Sequence, residues 1–417
     1  MASEYNIEVN ALIVGAGPAG ASLSMFLCKE KIPHLIIDKA IFPRDKICGD
    51  ALSGKVIDVL KKLDEKLLSG IYNDEQKFTG SYGVKFAAPN GKFIDIPFKK
   101  NLESLAHPPG FISKRIHFDH FLFQKIDRNV ATVMEGCSIR EIKRVNGGFA
   151  CLLDHNNNEI SVFAKMVAGA EGDRSVVGKK LADIHKEDKH YCAGLRAYYK
   201  GVTGFHERNF IELHFLKELL PGYLWIFPLA DGEANVGVGM LSNEVSQRKI
   251  NLKKIMMEAI EQNPTIRHRF ANAKLVGDIK GWGLPLGSKR RKISGDNFLL
   301  LGDAASLIDP FTGEGIGNAM VSGMLASRQI KKSLTEDRYD ESFLSQYDKE
   351  VYDSLWSELK LSHTLQSLSK YSWLFNYVVG KAARNEELRD TITCMFDDLS
   401  VRDRLRSPRF YFKLLVD

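Results

Sequence analysis

The sequence predicts an α/β fold in which a Rossmann-like domain is interrupted by an antiparallel sheet and followed by a C-terminal helical region. Three observations predict it. An apolar run, residues 11–14, ends in Gly15-x-Gly17-x-x-Gly20 and passes into a helix-compatible segment, residues 21–30. Residues 191–241 read as an antiparallel sheet, with apolar and aromatic side chains at period two in its centre. From residue 332 to 417 the chain reads as helical, and 417 residues suffice for two or three lobes.

In the first element the glycines let backbone approach a pyrophosphate closely. The helix after them, with Ala19 in the turn that opens it, offers unpaired N–H groups and a positive dipole end. A second strand, residues 34–37, delivers Asp38 toward a ribose, close to the ~20-residue offset of the dinucleotide fingerprint. Strand, helix and acid together favour a dinucleotide site over an ordinary glycine-rich turn. Lys39 opens the loop that follows. There Arg44 and Lys46 read either as phosphate contacts or as solvated charges. Cys48 precedes Gly49, which permits close approach to a planar ligand; the alternative is an inert packing thiol. A helix over residues 53–63 comes next.

Residues 78–98 read as strands of a separate sheet, turning at residues 89–91, and residues 112–126 as a core-facing helix with Arg115 at its start. Hairpin turns at residues 146–148 and 155–158 lead to a buried strand that runs into Glu171-Gly172. In the central stretch, residues 221–228, alternation puts Tyr223, Trp225 and Phe227 on one face and Leu224 and Ile226 on the other. Such a face either lines a cavity for an apolar or planar substrate or packs on a helix. Residues 251–270 read as a helix broken near Pro264. A further buried strand ends in Gly302-Asp303, and Asp309-Pro310-x-x-Gly313-Glu314-Gly315-Ile316 leads into a helix with small residues on its first turns. A carboxylate there suits the ribityl chain of a flavin, and a helix N-terminus suits the anionic edge of the reduced ring.

Composition narrows the class. A net charge of +6 with 44% hydrophobic and 26% charged residues is globular, and no nucleic-acid motif accompanies it. The six cysteines include no C-x-x-C pair, so neither zinc nor an iron–sulfur cluster is expected, and reduced thiols fit a cytoplasmic protein. The uncharged run over residues 11–28 is broken by three glycines and Pro18, against a membrane span, and no signal peptide precedes it. The basic cluster at residues 289–292 suits a nicotinamide phosphate, a diphosphate, an anionic membrane or a solvated turn. Aromatic residues at 371, 373, 375 and 377 and in the stretch from Arg409 suit a lobe that closes a lipid-sized cavity, touches a membrane or caps the catalytic domain.

These signatures resemble the geranylgeranyl reductase family of FAD-dependent oxidoreductases, within the para-hydroxybenzoate-hydroxylase-like flavoproteins. The resemblance covers most of residues 7–330. Its narrow parts are Lys46-x-Cys48-Gly49-Asp50, Tyr223-x-Trp225-x-Phe227-Pro228 and Asp309-Pro-x-Thr-Gly-Glu-Gly-Ile316. Ser407-Pro408-Arg409 also looks like the family's ending. Glu171-Gly172 stands where many FAD enzymes have Asp-Gly, and one residue rather than two separates Pro221 from Tyr223.

The resemblance implies an FAD-binding domain at residues 1–78, 106–184 and 276–331, a substrate domain at 79–105 and 185–275, and a helical region at 332–417. It implies cofactor contacts from Gly15, Gly17, Ala19, Gly20, Asp38, Lys39, Arg44, Cys48, Gly49, Arg115, Gly172, Gly302, Asp303, Gly313, Gly315 and Ile316. Tyr223, Trp225, Phe227 and Pro310 would hold substrate, and Cys48, Tyr223 and Trp225 would serve the chemistry. The implied reaction is hydride transfer from reduced FAD to a double bond of a prenyl lipid or diphosphate. With no second dinucleotide fingerprint, NAD(P)H would visit transiently, or a redox partner protein such as a ferredoxin would supply electrons. The implied setting is cytoplasmic, with peripheral membrane contact as an option. Two alternatives stand. Residues 222–228 are also similar to the Gly-Trp-x-Trp-x-Ile-Pro motif of flavin-dependent halogenases, which points to a monooxygenase or halogenase. The other is an electron-transfer flavoprotein that reduces a quinone.

Overall fold

The computed structural model of the chain describes residues 5–385 and Arg389. Its first sheet is built on the strand Ile7–Val14, whose last four residues are all buried. This strand pairs in parallel with His34–Asp38 on one side and Asn158–Gly169 on the other. His34–Asp38 pairs on with Ala131–Glu135, and Asn158–Gly169 with Phe298–Leu300, again in parallel. Strands buried on both faces read as continuous apolar runs, which is why residues 11–14 and 298–300 stand out in the sequence. The helices Pro18–Lys29 and Ile316–Glu336 pack on each other, and an added Cβ on Gly323 would stand 2.4 Å from the Ala19 carbonyl oxygen.

The second sheet has seven strands in the order Lys274–Pro285, Tyr191–Lys200, Glu233–Leu241, Tyr223–Pro228, Ile211–His214, Gly83–Ala87 and Phe93–Pro97. All neighbours are antiparallel except Ile211–His214 with Gly83–Ala87. One face, with Leu224 and Ile226, packs on the helix Leu252–Gln262 through Met256, Ala259 and Ile260. The other carries Tyr223, Trp225 and Phe227, as the alternation predicts. The buried Glu212 fixes this sheet to residue 269: it pairs with both arms of the Arg269 guanidinium and with His214 at 3.0 Å. The strand Lys274–Pro285 stays in the second sheet throughout, so the domain boundary set at residue 276 falls inside a strand. Its pairing with Tyr191–Lys200 holds it there.

Two helices are shorter than expected. Residues 110–112 form a buried strand paired to Ala51–Leu52 and Thr79–Ser81, and the helix expected over residues 112–126 starts at Arg115. The helix expected over residues 251–270 runs from Leu252, capped by the Asn251 side chain, to Gln262. Asn263 is extended, as a residue before proline prefers, and a short 3₁₀ segment covers Arg267–Phe270. The helical region begins within Ile316–Glu336 and continues as Glu341–Leu368 and Ser372–Ala382. Cys394, Ser407-Pro408-Arg409 and the stretch after it lie outside the described residues. Among the described residues no helix is long and apolar enough to cross a membrane.

Candidate active site

The parallel register assembles the site. Val14 lies opposite both Ile37 and Gly169, and Gly169 opposite Leu300. The loops at Gly15, Asp38, Ala170 and Leu301 therefore leave the sheet side by side at its carboxyl edge, where open α/β sheets bind ligands. A cavity of about 1260 Å³ opens there and continues beneath the aromatic face of the second sheet. That exceeds the ~300–1,000 Å³ of a pocket for one drug-sized molecule.

At the glycine turn Gly15 has φ 100°, and an added Cβ would stand 2.5 Å from the Ala170 carbonyl oxygen. Two of the expected cofactor contacts turn out to be packing residues that do not line the cavity. An added Cβ on Gly20 would fall 1.8 Å from the Gly15 carbonyl oxygen, and one on Gly302, at φ 55°, 2.9 Å from Ala319 Cβ. Their missing side chains make room for protein. Every other expected site residue lines the cavity. The helices Pro18–Lys29 and Ile316–Glu336 both start after a glycine, with no acid in the first turn. Each presents a positive dipole end to the cavity, though at the second start Glu314 Oε1 already accepts from the Gly317 N–H at 2.6 Å.

Asp38 fastens the first turn. Its Oδ2 accepts from the Ala16 N–H and its Oδ1 from the Ala40 N–H, both at 2.8 Å, which leaves lone pairs for a hydroxyl. Arg44 is not a solvated loop charge: its Nη1 donates to Asp119 Oδ2 at 2.5 Å. The buried Asp119 also accepts from Arg115 at 2.6 and 2.8 Å. Burial pushes Asp119 up, but the two guanidiniums outweigh it and hold the carboxyl below the usual range. Two cations on one anion leave a net positive charge beside the glycine turn, with Arg44 Nη2 3.5 Å from where a Gly17 Cβ would sit. Lys46 lies 4.4 Å over the Trp282 ring, and burial lowers its ammonium pKa. Glu171 caps a helix: Oε1 accepts from the Val176 and Val177 N–H groups at 3.0 Å, and Oε2 from Ser175 at 2.7 Å.

The aromatic strand closes on the cofactor loops at two points. Tyr223 Oη donates to the Thr312 carbonyl at 2.7 Å. Gly49 faces Phe227 and Trp225, where an added Cβ would stand 3.1 Å from Phe227 Cε2. Trp225 lies against Gly237, with 2.2 Å between an added Cβ there and Cζ2 of the indole. The Trp225 Nε1–H donates to Asn235 Oδ1 at 2.8 Å. Asn235 Nδ2 donates in turn to the Cys48 carbonyl at 2.8 Å and to Asp50 Oδ2 at 2.7 Å. Tyr198 Oη also donates to Asp50 Oδ2 at 2.7 Å, while Asp50 Oδ1 has no partner. Burial lifts the Asp50 carboxyl to about 6 and pushes the Cys48 thiol up, against the pull of Arg115.

Sequence reasoning quoted Asp50 as part of a motif without giving it a role, and missed Asn235, Tyr198 and Asp119. Asp50 had a signal, its place beside Cys48 and Gly49. Asn235 had none, because the Cys48 carbonyl and Asp50 that it binds lie far away in the chain. The basic cluster at residues 289–292 does not reach the cavity. Lys289 and Arg291 pair with Glu187, Lys292 pairs with Glu341, and Arg290 lies over Trp356.

The donor set fits FAD: an uncapped helix start and two guanidiniums for pyrophosphate, Asp38 for ribose, and Asp303 beside a second helix start. Comparison with known proteins agrees. The chain is 28% identical over 367 residues to the digeranylgeranylglycerophospholipid reductase of Methanococcus vannielii, covering 86% of this chain and 87% of that one. It shares its fold with a geranylgeranyl bacteriochlorophyll reductase-like protein from Thermoplasma acidophilum, at TM-score 0.81 and 23% identity over 96% of this chain and 98% of that one. A flavin-dependent brominase has the same fold at TM-score 0.73 and 20% identity, with 93% of each chain covered. Residues 8–360 match the family described as an FAD binding domain, and the chain, with a dinucleotide cradle at its sheet edge, belongs to that family of flavoproteins.

Proposed function

We propose that this protein is an FAD-dependent reductase that saturates carbon–carbon double bonds of a prenyl lipid. The observation that carries the proposal is the junction at Gly49, where a cofactor-type loop lies against an aromatic wall within one continuous cavity. The Methanococcus relative's name supplies the substrate class, an isoprenoid glycerophospholipid. When bound, reduced FAD would supply a hydride to one alkene carbon, and the other would take a proton drawn from water.

The chain's own residues orient and enclose the alkene. Tyr223, Trp225 and Phe227 give it an apolar surface, with Pro310 on the facing loop. The bonds from Tyr223 to Thr312 and from Trp225 to Asn235 keep the two aromatic rings from turning away. Burial weakens the Cys48 thiol as an acid, so its part here is to shape the junction and hold the alkene in place. Arg44, Arg115, Asp38 and the two helix starts hold the cofactor; Gly20 and Gly302 keep its cradle closed. NAD(P)H or a redox protein supplies the electrons, and a substrate of this kind brings the enzyme to a membrane surface.

Anaerobic reduction of the flavin, followed by addition of a geranylgeranylated glycerophospholipid or geranylgeranyl diphosphate, tests this reading. Flavin reoxidation with a mass gain of two hydrogens per double bond is expected, with loss of at least ~10-fold in rate for Trp225→Ala. No reoxidation until air is admitted would overturn it in favour of an oxygen-using enzyme.

A further inference from the structure

Seven large apolar side chains are exposed among the described residues, and three of them lie within seven positions: Tyr371 at 57%, Trp373 at 66% and Tyr377 at 40%. All three belong to the helix Ser372–Ala382 or to its N-cap. The inner face of this helix buries Val379 and Ala382 against the second sheet, and the Phe375 ring stands 4.2 Å from Phe215. Phe215 in turn lies 5.5 Å from Tyr223 and 5.6 Å from Phe311, so the helix backs directly onto the aromatic wall of the cavity.

The outer face is the unusual one. Spacing of three and four residues places Lys370, Trp373, Leu374, Tyr377 and Lys381 along one stripe. Lys381 Nζ lies 5.7 Å over the Tyr377 ring, and the Lys92 side chain reaches the helix at Gly380. A surface helix of a globular protein normally turns a charged face to water. This one turns a tryptophan and a tyrosine outward, with Lys370 tied to Glu244 at 3.2 Å at its start, and exposed aromatic rings of this kind mark helices that lie in a membrane interface. We propose that this outer face seats on a lipid bilayer bearing anionic headgroups. The aromatic rings enter the headgroup region, and the chain's net charge of +6, with Lys92 beside the helix, favours lipid phosphates. The inference rests on the prenyl-lipid reading for its purpose, since it sets the aromatic wall one helix away from where such lipids reside.

Co-sedimentation of the full-length holoenzyme with phosphatidylcholine vesicles, with and without phosphatidylglycerol, tests it. Wild-type protein is expected to bind, more tightly with phosphatidylglycerol and less at high salt. Trp373→Ser with Tyr377→Ser is expected to weaken binding at least about tenfold while turnover of detergent-dispersed lipid is kept. Leu275→Ser with Val276→Ser, on the opposite edge of the same sheet, is expected to leave binding unchanged. Quenching by brominated lipid adds a direct readout: a quenched component of tryptophan emission should vanish in Trp373→Phe. Equal binding by wild type and the helix variant overturns the proposal. So does absence of wild-type binding, whether a second copy or the chain's own final residues cover the helix. Failure to bind vesicles with intact reduction of dispersed lipid sinks only this inference; vesicle binding without reduction of any prenyl lipid sinks the functional reading instead.

Discussion

Asp50 gathers the network that holds the aromatic strand to the Cys48 loop, and it does so as a buried acid with one oxygen unpartnered. Burial lifts it from 3.8 to about 6, so the folded protein prefers its neutral form. Its contribution to stability is complete below about pH 4 and is lost as pH rises through about 6. Asp50→Asn cannot ionise and is expected to gain on wild type across that window. The gain approaches roughly 3 kcal/mol by about pH 8, read from denaturant unfolding at several pH values. Gly15 and Gly20 were legible as a motif, but a glycine in a sequence does not say whether its missing Cβ makes room for a ligand or for protein. Gly20 and Gly302 make room for backbone and an alanine. Asn235 was illegible for a different reason: its three hydrogen-bond partners lie on Trp225, Cys48 and Asp50, and no local spacing encodes that meeting.

The strand Tyr223–Pro228 was the most legible element, because period-two alternation is a property of the backbone alone. What alternation did not reveal is how Trp225 is accommodated. Its ring lies across Gly237 of the neighbouring strand, where an added Cβ would stand 2.2 Å from both the indole and the Leu195 carbonyl oxygen, so Gly237→Ala is expected to displace the indole and shift the strand pairing, cost about 1–3 kcal/mol or more and lower turnover more than cofactor binding. Denaturant midpoints and flavin content measured beside activity check this. Strand Gly110–Ile112 shows the opposite case. Its short apolar run fits a helix start as well as a strand, and only the two partners that pair with it decide between them. The boundary placed at residue 276 failed on the same physics: strand pairing holds Lys274–Pro285 to Tyr191–Lys200 beyond any local signal.

Across the whole molecule, the two sheets are joined by a few polar ties and by the cavity between them. Arg196 Nη2 meets Asp45 at 2.8 Å, and Lys55 meets Glu358 of the helical region at 2.7 Å. FAD would bridge loops from several of these segments, so its removal is expected to lower the melting temperature. Restoring it at about one hundred times its dissociation constant returns roughly 2.7 kcal/mol, which calorimetry of apo and reloaded protein would show.

The register that aligns Val14, Gly169 and Leu300 also orders events in time. A ribosome makes the glycine turn first and the strand Phe298–Leu300 only after all seven strands of the second sheet have emerged. A nascent chain released before Asp303 has the turn but lacks the carboxylate and the second helix start that are proposed to complete the cradle. Chains truncated before that point are expected to purify without flavin, which the absorbance of a truncation series would show.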